Sequence, residues 1–365
     1  MKAALFCTCG YQGPAPRGVW PAPGDEYSAE LAEASMATTL AQFKLADEVG
    51  FDWVTVAEHH YSPMSLTPNP LVMAGAITQV VKRAKIAVMG PDIPILNPLR
   101  VAEEFAMLDT LTGGRVVAGL FRGTANEYVT YNINPSESRE RFEEALQLIK
   151  RAWVEEQPFG WQGRFYEYRT ISLWPKPVQK PHPPIFMSGS SPESGTFAAR
   201  NRIGLGLAFT PLSMALEAAA HYRAEAEKFG WEPTPDEVLY RVAVHVADTD
   251  DQAMEDALSL NDGKPRKGIS KANQDVEGAA ADAGYFGKDK NNQRARLNDR
   301  DLQKSLETGQ LILGSPETVL GKIREIQGQL GAGIMDLTLG MQMGEKTMHA
   351  IELMGEKVLP GMREL

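Results

Sequence analysis

The sequence predicts an α/β protein built as one closed barrel of eight parallel strands with crossover helices, (β/α)8, carrying insertions. Three observations carry that expectation. Short apolar runs alternate with helix-like segments from end to end of the 365 residues, the order a parallel sheet needs because each return crossing takes a helix. Eight such runs can be counted, and barrels of this kind hold their length as a single domain when their loops are enlarged. Hydrophobic residues make up 43% of the chain and charged residues 23%, the proportions of a protein with a large core rather than a disordered one. Residues 1–365 are therefore expected to form one domain.

The first strand is expected over residues 2–9, a helix over 38–49, the second strand over 53–57 and a helix with a polar outer edge over 70–83. The third strand, 85–89, runs through Pro91 and Pro94 into a helix over 99–111, on which Glu103 and Glu104 lie opposite Phe105 and Leu108. Gly113 and Gly114 stop it. The fourth strand spans 115–121. Phe142, Ala145, Leu146, Ile149 and Trp153 recur at helical spacing over 138–154, a stripe of the kind that packs into a core. Residues 159–184 read as an extended excursion, punctuated by Pro175, Pro177, Pro181, Pro183 and Pro184, that ends in the fifth strand at 184–187. A helix starts near Pro192. Strands six, seven and eight fall at 205–209, 238–246 and 334–339, and the last helix at 346–358. Met73, Ile77 and Met107 lie on the second and third helices and point either to core packing or to a dimer contact.

Residues 261–310 break the rhythm. Gly, Asn, Asp and Lys are frequent there, no periodicity is sustained, and ten Lys or Arg stand against eight Asp or Glu in a chain of net charge -10. A long loop after the seventh strand reads either as a solvated insertion or as a mobile active-site loop that orders over an anionic cofactor.

The acidic balance argues against nucleic acid as a partner, because phosphate neutralisation needs a basic surface. Cys7 and Cys9 are separated by one residue, where a disulfide would be strained, and residues 1–9 are too short for a signal peptide's apolar core. No apolar stretch of membrane-spanning length follows. A cytoplasmic protein with no membrane partner is expected.

Barrel active sites form where strands end, on the C-terminal face. Glu58, His59 and His60 follow the second strand directly. Neighbouring residues on a strand point to opposite faces, so one metal ion would reach both imidazoles only through a sharp bend, and no second ligand cluster has the right spacing. No metal is expected. Either histidine can be a packed core residue; as a functional group, an imidazole titrating near neutrality suits proton transfer or stabilisation of an oxyanion. His182, His221, His245 and His349 lie in weaker contexts, among prolines, on helices or within a strand. The fourth strand ends in Phe121-Arg122-Gly123, and the fifth in Ser188-Gly189-Ser190-Ser191-Pro192-Glu193-Ser194 before a helix. The second segment reads either as a phosphate cradle, with small residues, amide donors and hydroxyls, or as ordinary N-capping by one serine. Arg122 is expected on the neighbouring rim, as a partner for the same phosphate. Gly314-Ser315-Pro316-Glu317 reads as a plain N-cap.

Taken in order, Glu58-His59-His60-Tyr61, Leu66-Thr67-Pro68-Asn69-Pro70, residues 97–104 (NPLRVAEE), Leu108-Asp109, Gly113-Gly114-Arg115, Arg122-Gly123, Pro175-Lys176-Pro177 and His182-Pro183-Pro184-Ile185 resemble the bacterial luciferase-like flavin-dependent monooxygenases over nearly the whole chain. The resemblance implies a TIM barrel that takes reduced FMN from a separate NAD(P)H:flavin reductase and forms a C4a-hydroperoxyflavin with O2. The product step is then a hydroxylation, an epoxidation or a Baeyer-Villiger-type insertion on a small organic substrate. It implies a catalytic His59 beside the flavin, a supporting His60, and Glu58 in the cofactor site. FMN phosphate contacts fall on Arg122, Gly189, Ser190, Ser191 and Ser194. The backbone of Leu96 and Asn97 is expected against the isoalloxazine, near a cis peptide within residues 95–97.

The family's mobile loop corresponds to the segment around Lys288, Lys290, Arg294 and Arg296, and the family habit is a homodimer or a heterodimer with a related subunit. Trp20, Tyr61 and Phe121 are expected to line an apolar pocket. Phe121 stands where luciferases carry Cys, so neither light emission nor a long-chain aldehyde substrate follows. Two alternatives share the barrel: an oxidoreductase using the deazaflavin F420, and a catalytically silent flavin-binding partner subunit. The Glu-His-His motif favours FMN, and the retained His59 argues against a silent subunit.

Overall fold

The computed structural model describes residues 1–14, 19–261, 302–340 and 345–365. Its described strands are β1 (Lys2–Phe6), β2 (Trp53–Val56), β3 (Lys85–Asp92), β4 (Val116–Phe121), β5 (Phe159–Gln162), β6 (Glu167–Ile171), β7 (Ile185–Ser188), β8 (Gly204–Ala208), β9 (Val238–Val246), β10 (Leu311–Gly314) and β11 (Ile334–Leu339). Between them run α1 (Ala29–Val49), α2 (Pro70–Val80), α3 (Pro98–Thr112), α4 (Ala125–Thr130), α5 (Ser138–Val154), α6 (Pro192–Asn201), α7 (Leu212–Lys228), α8 (Asp250–Asn261), α9 (Leu302–Glu307) and α10 (Pro316–Leu330), with α11 (Glu345–Leu353) after β11. A π-turn at Met354–Val358 and the short α12 (Leu359–Met362) end the chain.

Parallel pairing runs β11-β1-β2-β3-β4-β7-β8-β9, and β9 returns to β11, so eight strands close a barrel. The register is continuous, with Leu5 opposite Val54, Val54 opposite Ile86 and Ile86 opposite Val116. Alternation along the strands sorts the side chains into two sets. Ala4, Trp53, Ala87, Met89, Val117, Phe186, Leu239 and Ile334 fill the lumen, while their neighbours Leu5, Val54, Ile86, Val116 and Val238 face the helices. The barrel is thus plugged by apolar side chains below and must open, if anywhere, above them at the C-terminal ends.

Several elements depart from the expectations. Helix α1 begins at Ala29, well before residue 38, because Ser28 caps it by accepting from the Leu31 amide. The proline-rich excursion contains an antiparallel hairpin, β5 with β6, and β10 adds a strand beside the C-terminal half of β9. Met73 and Ile77 are not surface residues: they are buried in the chain's own core, leaving Met107 exposed. The cis peptide expected within 95–97 is also corrected. Among the described residues the cis bonds precede Pro21, Pro175 and Pro181. A cis bond before a residue other than proline costs about 3–4 kcal/mol, and here a 3-10 turn at Ile93–Ile95 brings the chain out of β3 instead. Of the segment 261–310, residues 262–301, with Lys288, Lys290, Arg294 and Arg296, lie outside the described residues. Among the described residues no helix is long and apolar enough to cross a membrane.

Candidate active site

Glu58, His59 and His60 leave the end of β2 in the order the sequence requires, and the backbone turns so that the two imidazoles go separate ways. His60 is buried, its Nε2 2.9 Å from Glu58 Oε1. The other Glu58 oxygen accepts from the Asp92 amide at 3.3 Å, and the Trp20 indole donates to the His60 carbonyl at 3.0 Å. The His60 ring meets Tyr131 edge to face at 5.1 Å. His59 instead reaches outward. Its side chain is 47% exposed, while its partner Glu127, 3.5 Å from Nδ1, is 3% exposed.

Glu127 was not among the expected site residues. It lies on α4, the short helix after β4, and its carboxylate accepts from the Thr124 amide at 2.8 Å and from the Thr124 hydroxyl. The Thr-x-x-Glu spacing of Thr124 and Glu127 is a capping box, a signature legible in the sequence. Three buried carboxyls thus gather beneath the histidines: Glu58, Asp92 and Glu127. Burial pushes Asp92 well above the usual carboxylate range, helped by the neighbouring Glu127 and Glu58. Burial also raises Glu58, against the opposing pull of His60. Burial pushes Glu127 upward too, but the hydrogen bond and charge of His59, with the Thr124 hydroxyl, outweigh it and leave Glu127 below its ordinary value. Low-dielectric surroundings therefore spread the protonation of this cluster unevenly.

The rim expected to hold phosphate forms around the start of α6. Ser191 is its N-cap: Oγ accepts from the Ser194 amide at 3.2 Å and its hydroxyl donates to Ser194 Oγ at 3.0 Å. The capping reading therefore holds for Ser191. Gly189 is fixed by packing, since a Cβ there would fall 2.4 Å from Ser194 Cβ. Arg122 extends to Ser138 Oγ at 3.4 Å, and the next residue, Arg139, pairs with Glu193 on the first turn of α6 at 2.9 Å. Arg122 thus stands at the start of α5, which Arg139 ties to the start of α6.

Leu96 and Asn97 do not join that group. They line a cleft of about 400 Å³ between the starts of α2 and α3, whose wall also includes Glu58, Arg100, Glu104 and Tyr131. His59, Arg122, Ser191 and Ser194 lie outside that lining. Asn97 caps α3 through the Arg100 amide and accepts from the Tyr168 hydroxyl at 2.9 Å. Of the expected apolar wall, Trp20 is buried, Tyr61 is exposed with its ring 6.2 Å from that of Trp20, and Phe121 is half-buried on the lumen core. Among the described residues no group of three or more His, Cys, Asp or Glu is placed to hold a metal ion.

The profile of the luciferase-like monooxygenases matches residues 18–332. This chain belongs to that family. Among curated relatives, the oxygenase component of a flavin-dependent trigonelline monooxygenase from Acinetobacter baylyi is 27% identical over 60% of this chain and 61% of its own length. An F420-dependent glucose-6-phosphate dehydrogenase from Microbacterium testaceum is 32% identical over 43% of this chain and 48% of its own. These matches span between about half and three-fifths of the relatives' length. Among solved structures, the oxygenating constituent of 3,6-diketocamphane monooxygenase from Pseudomonas putida, a type II Baeyer-Villiger monooxygenase in complex with FMN, superposes with a TM-score of 0.73 over 99% of this chain and 98% of its own, at 21% identity. That likeness establishes the fold, a TIM barrel.

Proposed function

We propose that this luciferase-like protein is the oxygenase of a two-component system, using reduced FMN delivered by an NAD(P)H:flavin reductase and O2 to oxygenate a small organic substrate. The reduced flavin, when bound, supplies two electrons, so that one oxygen atom enters the substrate and the other leaves as water. The observation that carries the reading is the His59–Glu127 pair at the barrel mouth, an exposed imidazole backed by a buried carboxylate held low. With Nδ1 turned to Glu127, Nε2 is left to hold or move a proton at the reacting atoms, an arrangement in which the carboxylate fixes the ring's tautomer. His60, held by Glu58, supports the turn that presents His59.

The rim would suit the phosphate of FMN: Gly189 admits the backbone against Ser194, the start of the ten-residue α6 offers its positive end, and Arg122 stands at the neighbouring start of α5. Ser190, Ser191 and Ser194 would supply hydroxyls. Leu96 and Asn97 share a cleft with Glu58 and would bound the ring end. A dimer accompanies this reading, through the outer faces of α2 and α3.

The test mixes the protein with photoreduced FMN without oxygen, then with oxygenated buffer, and follows flavin absorbance in a stopped-flow instrument. Reoxidation slower than that of free flavin in the wild type, and lost in His59→Ala, is the expected result. Reoxidation like that of free flavin in both proteins removes the proposal. The F420-dependent relative favours a second reading, in which the deazaflavin replaces FMN; binding of F420 with no binding of reduced FMN would establish it. Binding of reduced FMN with no effect on its reoxidation would mark a silent subunit.

A further inference from the structure

The lumen of the barrel changes character one layer above its apolar plug. The inward-facing positions there include Phe6 on β1 opposite Thr55 on β2, and Asp336 on β11 opposite Arg241 on β9. Arg241 Nε and Nη2 each lie 2.7 Å from Asp336 Oδ2, Thr55 donates to Asp336 Oδ1 at 2.7 Å, and the guanidinium lies 3.5 Å above the Phe6 ring. A buried ion pair of this kind can serve merely to tie strands together. One detail speaks against that being all it does. The sealed side-chain polar atoms without a partner among the described residues are Tyr166 Oη, His245 Nδ1 and Thr338 Oγ1. Among the described residues Arg241 Nη1 is not one of them and makes no hydrogen bond, so it keeps some accessible surface.

Above it lies the mouth of the barrel, at the C-terminal ends of β9 and β11. The next inward positions above Arg241 and Asp336 are Ala243 and Thr338, which face each other in register; both residues are half-buried, although Thr338 Oγ1 itself is sealed. Phe209, also half-buried, stands beside the same layer, edge-on to Phe6 at 6.4 Å. A guanidinium offers its N–H groups in a rigid plane and has no acceptor, so an unused Nη1 calls for an oxygen. Because Asp336 already balances its charge, a carbonyl serves as well as a carboxylate.

We propose that Arg241 Nη1 is a specificity-determining anchor at the floor of the barrel mouth, where it binds the carbonyl or carboxylate oxygen of a ring-bearing substrate seated against Phe209. This rests on the oxygenase reading above, and the flavin's own carbonyl edge is the competing source of the same chemistry. The test therefore reads ligand binding in the absence of flavin. Benzoate and ethylbenzene are titrated against the full chain by calorimetry. The variants are Arg241→Gln/Asp336→Asn, which removes both charges together, and Ala243→Leu, which leaves the ion pair intact and fills the opening; reduced FMN is titrated separately without oxygen.

Benzoate is expected to bind the wild type more tightly than ethylbenzene does, and to bind each variant at least tenfold more weakly, with reduced FMN affinity of the double variant within twofold of wild type. Benzoate that fails to bind the wild type, or binds all three proteins alike, overturns the proposal. A loss of reduced FMN affinity without a loss of benzoate affinity also overturns it, and assigns Nη1 to the flavin ring. If the double variant does not fold, Ala243→Leu decides the question alone. Failure of the FMN experiment leaves the benzoate result standing, so the two readings fail separately.

Discussion

Asp92 illustrates how much a single buried carboxyl can shape the behaviour of the candidate site. Its side chain is enclosed beside Glu58 and Glu127, and both burial and those neighbours raise its proton affinity in the fold. A raised folded value means that the native state binds more protons than the unfolded chain between the ordinary carboxylate range and the raised one. Stability contributed by this group is therefore full below the ordinary range and falls as pH rises through the window. Glu127 has the opposite sign, and its contribution is lost as pH falls through its depressed value. Asp92→Asn keeps the shape and removes the titration. The variant's melting temperature should gain on the wild type as pH is raised from about 4 to 8, in differential scanning fluorimetry across that range. A difference that stays constant with pH, or that shrinks, would show that the surroundings of Asp92 do not raise its proton affinity. Neither Asp92 nor Glu127 could be read from the sequence as a site residue. Asp92 lies beyond the apolar run of β3, and Glu127 acts on His59 across 68 positions; its local capping box marks a helix start, not a site.

At the scale of elements, the start of α6 and the hairpin β5–β6 each turn on one residue. In the first, Gly189→Ala puts a methyl group against Ser194, and the first turn of the helix must shift. Affinity for reduced FMN is expected to fall at least tenfold, measured by anaerobic titration, and to recover in Gly189→Ala/Ser194→Gly, where the obstructing side chain is gone. Failure of the second change to restore binding would mean that Ser194 is itself needed, or that the rim is not the phosphate site. In the hairpin, the Glu144 carboxylate on α5 accepts from the Trp161 indole at 3.1 Å and from the amides of Arg164, Phe165 and Tyr166 at 3.0, 2.9 and 3.0 Å. Hydrogen bonds to a charged group are worth about 1.5–3 kcal/mol. Glu144→Ala should cost about 2 kcal/mol in urea unfolding and speed amide exchange first in residues 162–166. Long-range tethers of this kind explain what the sequence concealed. The residues of α5 and of β9 and β11 carry their own periodicity or continuous apolar runs, and they appear where expected. The hairpin depends on Glu144, some twenty positions away, and its proline-rich flank looks like loop.

For the whole molecule, the barrel explains most of the apolar surface but not all of it. On α2 the outward positions include Val72, Gly75, Ala76 and Gln79, and on the adjacent α3 they include Met107 and Leu111. Val72 is 71% exposed, Met107 53% and Leu111 62%. Spacings of three and four residues put each set on one helical stripe, and small residues on α2 allow another helix to come close. A two-fold axis through such a surface lets each stripe meet its copy, so one patch serves both subunits. Met73 and Ile77, which lie on the same helix, cannot take part because they are spent on the chain's own core. The prediction is a homodimer of twice the 40.0 kDa chain mass in sedimentation equilibrium. The double variant Met107→Glu/Leu111→Glu, which sets two charges against their symmetry mates, should sediment as a single chain with an unchanged melting profile at low concentration. A wild type that sediments as one chain removes the dimer and leaves these helices as plain surface. A variant that stays dimeric places the axis on another face of the barrel, away from α3.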